Sequence, residues 1–110
     1  MKTYKVRFTR GLYDKIDEIA EYISSINTVG SGVRYANTLV DAILTLSYRA
    51  GTMPTLLLDT EYGQHPNSRR MLVKKGRFAV LFTIYKDYVL VYDIIPSKML
   101  AMELPDMEES

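Results

Sequence analysis

Two long apolar runs joined by only two polar residues constrain the fold more than any other feature of this chain. They cover residues 78–85 and 88–95, with Lys86 and Asp87 between them. Both runs are rich in β-branched and aromatic residues, which suit a pleated, packed surface, and a two-residue connection is typical of an antiparallel hairpin. Because nearly every position is apolar, we expect both faces of these strands to be covered. A shorter run at residues 71–73 predicts a further strand.

The first half of the chain predicts a strand followed by a helical hairpin. Tyr4, Val6 and Phe8 alternate with polar residues, the period of a strand with one face on a core. A first helix is predicted from apolar residues at helical spacing, with Thr9 as its N-cap: Leu12, Ile16, Ile19, Ala20 and Ile23. After a predicted turn at residues 27–32, a second helix ends at Gly51; its apolar positions are Val33, Ala36, Leu39, Val40, Ile43, Leu44 and Leu46.

These elements predict an α+β fold: an N-terminal strand, a helical hairpin, then a three- to four-stranded antiparallel sheet. A chain of 110 residues with 47% hydrophobic residues is expected to form one domain. We assign residues 1–98 to it and residues 99–110 to an acidic C-terminal tail. Residues 55–59 fit either a short strand or an apolar loop, and residues 61–68 are predicted to form a surface loop.

Positive charge is concentrated in the C-terminal half. Residues 62–98 carry seven cations against two carboxylates, a net charge of +5, whereas the whole chain carries +1. The candidate target- or nucleic-acid-binding residues are Arg69, Arg70, Lys74, Lys75, Arg77 and Lys98. The first five flank one predicted hairpin, where their side chains could converge and attract a phosphate backbone or an acidic partner. Alternatively, they form a solvated hairpin whose lysines protect a strand edge.

Residues suited to catalysis or base stacking are few. His65 is the only histidine and a weak candidate general acid or base, but its Gly/Pro/Asn surroundings favour an ordinary loop residue. Tyr85, Tyr88 and Tyr92 could stack on bases, although aromatic residues in strands more often pack in a core or across strands. Without cysteine, and with one histidine, the chain lacks the ligand pattern of a zinc site. No phosphate-binding glycine loop is present either, so no cofactor is expected.

The N-terminal and apolar segments predict a cytoplasmic protein. The opening sequence, MKTYKVRFTR, alternates apolar and polar residues and lacks the continuous apolar region of a signal peptide. No stretch approaches the roughly 20 apolar residues that span a bilayer.

The order of elements and several local sequences resemble the RelE/ParE superfamily of toxins from bacterial type II toxin–antitoxin operons. The resemblance runs from Tyr4 to about Lys98. Its most specific segments are RMLV at residues 70–73, GRFAVLF at 76–82 and VLVYDII at 89–95. They are similar to the family's basic strand, its Gly-Arg-Tyr turn into the central strand, and its final strand. The opening sequence YKVRF at residues 4–8 is similar as well.

The resemblance implies two possible activities. The RelE branch cleaves messenger RNA on the ribosome and usually has an arginine one residue after the aromatic that enters the central strand. Here that residue is Ala79, and the last strand leads into Pro96, Ser97 and Lys98 instead of an arginine-rich end. The ParE branch inhibits gyrase without cleaving RNA, and its turn is better matched by GRF at residues 76–78. The sequence therefore favours inhibition slightly over cleavage.

The resemblance also implies partners. A cognate antitoxin would cover the sheet and its basic end, and the target would be gyrase, the ribosome or messenger RNA. Two alternatives remain open from the sequence. One is a non-toxic relative that binds a protein or nucleic acid, and the other is a homodimer paired through exposed sheet edges.

Overall fold

The computed structural model describes residues 2–55 and 68–103. The elements, in chain order, are β1 (Lys5–Phe8), α1 (Arg10–Ile26), α2 (Val29–Leu44), α3 (Leu46–Arg49), a 3₁₀ turn (Ala50–Thr52), β2 (Ser68–Val73), β3 (Phe78–Ile84), β4 (Tyr88–Pro96) and α4 (Ser97–Glu103). This order confirms the predicted α+β fold with its N-terminal strand and helical hairpin. The three predicted apolar runs lie in β2, β3 and β4, except that Tyr85 follows the end of β3.

The four strands form one sheet in the order β1-β4-β3-β2. Strands β2, β3 and β4 are antiparallel neighbours, as predicted. Strand β1 pairs in parallel with β4, so the sheet is mixed rather than wholly antiparallel. The alternation of residues 4–8 shows which side chains face the core, but it carries no information on the direction of a distant partner strand.

Helix α1 begins and packs as its sequence predicts. The backbone N–H of Leu12 donates to the hydroxyl of Thr9 at 3.3 Å, which confirms Thr9 as the N-cap. Leu12, Ile16 and Ile23 are buried on the face that contacts the sheet and α2. The apolar stripe thus fixes which face of α1 is turned inward.

The turn between the helices is shorter than predicted, because Gly30 and Gly32 lie inside α2. Only residues 27 and 28 separate the two helices. A Cβ at Gly32 would lie 2.1 Å from both the carbonyl oxygen of Ala20 and the hydroxyl of Ser24. The glycine therefore allows α1 and α2 to approach closely, and its role is packing rather than turning.

The second predicted helix is divided at Thr45 into α2 and α3. Leu39, Ile43 and Leu46 are fully buried along the continuous helical path, in agreement with the predicted stripe, and Ala50, which the stripe did not include, is fully buried as well. Two members of that stripe do not face the core: Val33 and Leu44 are 60% and 45% exposed. They widen an apolar surface on the outside of the hairpin.

Both faces of the central strands are covered, as predicted. One face, which includes Val80, Phe82 and Val91, packs against the helices in the larger core. The other face forms a second cluster in which Ala79, Leu81 and Ile95 contact Leu100 of α4. This helix spans the predicted boundary at residue 98 between the domain and the acidic tail, and residues 104–110 lie outside the described residues. The division at residue 98 remains a prediction.

Candidate functional site

The turn between β2 and β3 has an unusual backbone. Lys74 and Lys75, at its two central positions, have φ of 54° and 58°, and Gly76 follows with φ of 83°. The N–H of Gly76 donates to the carbonyl of Val73 at 3.1 Å. Residues 74–77 join the paired residues Val73 and Phe78, and positive φ at both central residues of the first turn is a type I′ conformation, which usually selects asparagine or glycine. Two lysines in this conformation cost about 1–2 kcal/mol each.

Contacts with α2 hold the first of these lysines in place. The ammonium of Lys74 lies 4.1 Å from the centre of the Tyr35 ring and donates to the hydroxyl of Thr38. The ring of Tyr35 in turn meets Phe78 edge to face, with centroids 6.5 Å apart. Lys75 is exposed. The turn therefore directs one cation onto the helical hairpin and one into solvent.

The start of α4 is attached to the same turn. The Ser97 backbone N–H donates to the Arg77 carbonyl at 2.9 Å, and the Ser97 hydroxyl donates to the Gly76 carbonyl. This places the exposed residue Lys98 next to the turn. Four of the predicted binding residues thus share one end of the sheet: Lys74, Lys75, Arg77 and Lys98. We call them the turn cluster.

The other two predicted cations, Arg69 and Arg70, lie at the opposite end of β2. The Arg69 guanidinium donates to the carbonyl oxygens of Gly51 and Met53, at 3.3 and 2.8 Å. The Arg70 guanidinium donates to the carbonyl of Thr55 at 3.2 Å. Arg69 and Lys74 are five positions apart along the chain, which in an extended strand is a distance of about 16 Å. The structure therefore does not bring Arg69 and Arg70 together with the turn cluster: both arginines bind the chain that follows α3.

A groove of about 290 Å³ lies beside the turn cluster. Its lining is mostly apolar and comes from α1, α2 and the ends of β3 and β4: Glu18, Ile19, Tyr22, Ile23, Tyr35, Arg77, Phe78 and Pro96. The side chain of Tyr22 is 63% exposed. Glu18 and Arg77 supply one negative and one positive charge to the lining. The groove can accept an apolar side chain with a charged neighbour.

Three residues that the family resemblance singled out have structural roles. Ala79 is fully buried in the second cluster, beneath α4. An arginine there could not reach solvent without displacing the helix. Pro96 ends β4 and Ser97 anchors α4, so this segment is folded onto the turn. None of the three presents a cation to a ligand.

The remaining candidate residues differ in their surroundings. The hydroxyl of Tyr92 donates to Ser68 Oγ at 2.9 Å, and burial raises the pKa of this phenol, with the nearby carboxylate of Asp93 acting in the same direction. Tyr85 is exposed and stacks on Tyr88, so it is a cross-strand partner rather than a core residue. His65 lies outside the described residues.

Comparison with known proteins finds a likeness in structure. No protein-family model matches the sequence, and no curated protein matches it. A chain of the solved structure titled "Chromosomal ParDE TA system from P. aeruginosa" superposes with a TM-score of 0.69 at 13% sequence identity. The alignment covers 86% of this chain and 96% of that one. The chain has a RelE/ParE-like fold. This confirms the fold that the sequence resemblance implied.

No helix within residues 2–55 and 68–103 is long and apolar enough to cross a membrane. In the same part of the chain, histidine, cysteine and carboxylate side chains form no group of three that could hold a metal ion.

Proposed function

We propose that this protein is the toxin of a type II toxin–antitoxin pair, arresting growth in the cytoplasm by acting on a macromolecular target. The observation that supports this most is the fold likeness to a chain of a ParDE system, which extends over nearly the full length of both chains. Local sequence agrees with it, because the GRF segment at residues 76–78 lies at the entry to the central strand.

The antitoxin would occupy the groove beside the turn cluster. Its apolar lining, with the exposed ring of Tyr22, suits the apolar stripe of an amphipathic helix. Arg77 and the neighbouring lysines would pair with carboxylates at one end of that helix. Binding would then combine burial of apolar surface with charge attraction at the rim.

Among mechanisms, we favour inhibition of a target such as gyrase over cleavage of messenger RNA. RNA cleavage needs cations placed against the phosphate and a group that moves the proton of the 2′-hydroxyl. The position at which the RelE branch usually has arginine is filled by the buried Ala79. The turn cluster instead offers three exposed cations, Lys75, Arg77 and Lys98, that can bind an acidic surface without chemistry.

Controlled expression in a bacterial host tests the proposal. Wild-type protein should arrest growth, and the protein encoded by the neighbouring reading frame should relieve the arrest. Reversing two exposed charges of the turn cluster, Lys75→Glu with Arg77→Glu, should abolish the arrest at equal protein level. Arg34→Glu, which reverses an exposed charge on α2, is the matched control and should remain toxic. Normal growth with soluble wild-type protein, together with antitoxin binding, would instead indicate a non-toxic binding module.

Primer extension on messenger RNA during the arrest separates the two mechanisms. Inhibition without cleavage leaves the transcripts intact. New 5′ ends that appear within minutes of induction would reverse our ranking and assign the protein to the nuclease branch.

A further inference from the structure

A stack of one cation and two aromatic rings lies at the end of the sheet opposite the turn cluster. The guanidinium of Arg7, on β1, is 4.4 Å from the centre of the Tyr88 ring. Tyr85 stacks on the same ring, with centroids 4.9 Å apart and planes inclined by 20°. Because β4 lies between β1 and β3, Arg7 and Tyr85 approach Tyr88 from opposite sides. The stack therefore ends at the outer face of Tyr85.

The stack is accessible and is surrounded by positive charge. Tyr85 is 37% exposed, and Arg7 is exposed on the edge strand. Lys5 pairs with Tyr88 in the register of β1 and β4, and Lys86 follows Tyr85 directly; both are exposed. Asp87 is the only carboxylate in the hairpin connection. Three cations against one carboxylate leave this end of the sheet attractive to an anion.

We infer that this stack binds single-stranded nucleic acid, with one base stacking on the outer face of Tyr85. Every base has a π-face, and stacking on aromatic side chains beside cations that follow the phosphates is how proteins bind single strands with little sequence preference. Arg7 polarises the stack and holds Tyr88 in place, which supports the exposed ring. Bases paired in a duplex cannot stack in this way, so single strands should bind more tightly than duplexes. If the surface instead binds an acidic protein through charge alone, it should show no preference for single strands over duplexes.

This inference does not depend on the toxin assignment, because none of the stacked residues belongs to the turn cluster or the groove. Fluorescence anisotropy with a labelled oligouridine of twelve nucleotides, and with the same length of duplex, measures it on the full chain. Tyr85→Leu, which keeps apolar volume but removes the ring, should weaken binding of the single strand by roughly 5- to 100-fold. Tyr85→Phe should bind as wild type does. Arg7→Gln should also weaken binding.

Arg34→Gln is the matched control, since it removes an exposed cation on α2, outside both the stack and the turn cluster. It should reduce affinity no more than Tyr85→Phe does. The inference is overturned if the single strand does not bind, if the duplex binds equally well, or if Tyr85→Leu retains wild-type affinity. Equal losses in Tyr85→Leu and Arg34→Gln would also refute it, because they would indicate general charge attraction. Tyr85 is a surface residue, and circular dichroism of each variant verifies that it is folded.

Discussion

Replacing Gly32 with alanine should destabilise the protein, although alanine is the better helix former. In α2, the added methyl group would lie 2.1 Å from the backbone oxygen of Ala20, which cannot move without shifting α1. Overpacking of this kind costs about 1–3 kcal/mol, and a contact with backbone should reach the upper end. Helix propensity returns up to about 1 kcal/mol. The free energy of unfolding should therefore fall by about 2 kcal/mol.

Urea unfolding followed by circular dichroism measures this change, and a matched glycine provides the control. At Gly11, in α1, an added Cβ would meet no atom within 4 Å, so Gly11→Ala should be neutral or stabilise by up to about 1 kcal/mol. In a thermal melt, the loss in Gly32→Ala corresponds to a decrease in Tm of about 8 °C or more. If both variants are equally stable, close packing of the helices does not explain the glycine.

Two further predictions concern the second face of the sheet. Ala79→Arg should lower the free energy of unfolding by at least about 3 kcal/mol in a urea titration, because it buries an unpaired charge beneath α4. The control is Leu72→Arg, at the residue that pairs with Ala79 on β2 and is 53% exposed. This variant should change the free energy of unfolding by less than about 1 kcal/mol. Because the pKa of the Tyr92 phenol is raised in the folded protein, the phenol loses its proton at a lower pH in the unfolded chain than in the folded one. The contribution of the neutral phenol to the free energy of unfolding is therefore complete below pH 10 and is lost as pH rises through the pKa of the folded state. Melts between pH 9 and 11 should show Tm falling with pH more steeply in wild type than in Tyr92→Phe, and equal slopes would contradict this.

Local sequence was sufficient where an element depends on its own residues. Thr9 capped α1 as predicted, and the apolar runs became β3 and β4 because their composition suits nothing else at that length. Local sequence did not predict the role of Gly32, because the atoms that leave no room for a Cβ there belong to α1. A glycine that relieves a close contact and one that makes a turn look identical in sequence.

The candidate site was predicted in part for a similar reason. Lys74, Lys75 and Arg77 share the β2–β3 turn, as their spacing indicated. Arg69 and Arg70 do not join them, because they are the second and third residues of the six-residue strand β2, whereas the turn follows its last residue. The length of an extended strand is enough to predict this separation. The stack of Arg7 on Tyr88 was not predictable, since it depends on the parallel pairing of β1 with β4.

That parallel pairing has a consequence for how the protein is made. Of the four described strands, β1 is synthesised first and its hydrogen-bonded neighbour β4 is synthesised last, so register contacts such as Phe8 with Val91 join residues far apart in sequence. Such long sequence separation raises the contact order and slows folding, because the loop entropy is lost before the contact is gained. The edge of the sheet, and the Arg7 stack with it, can assemble only after the final strand has left the ribosome.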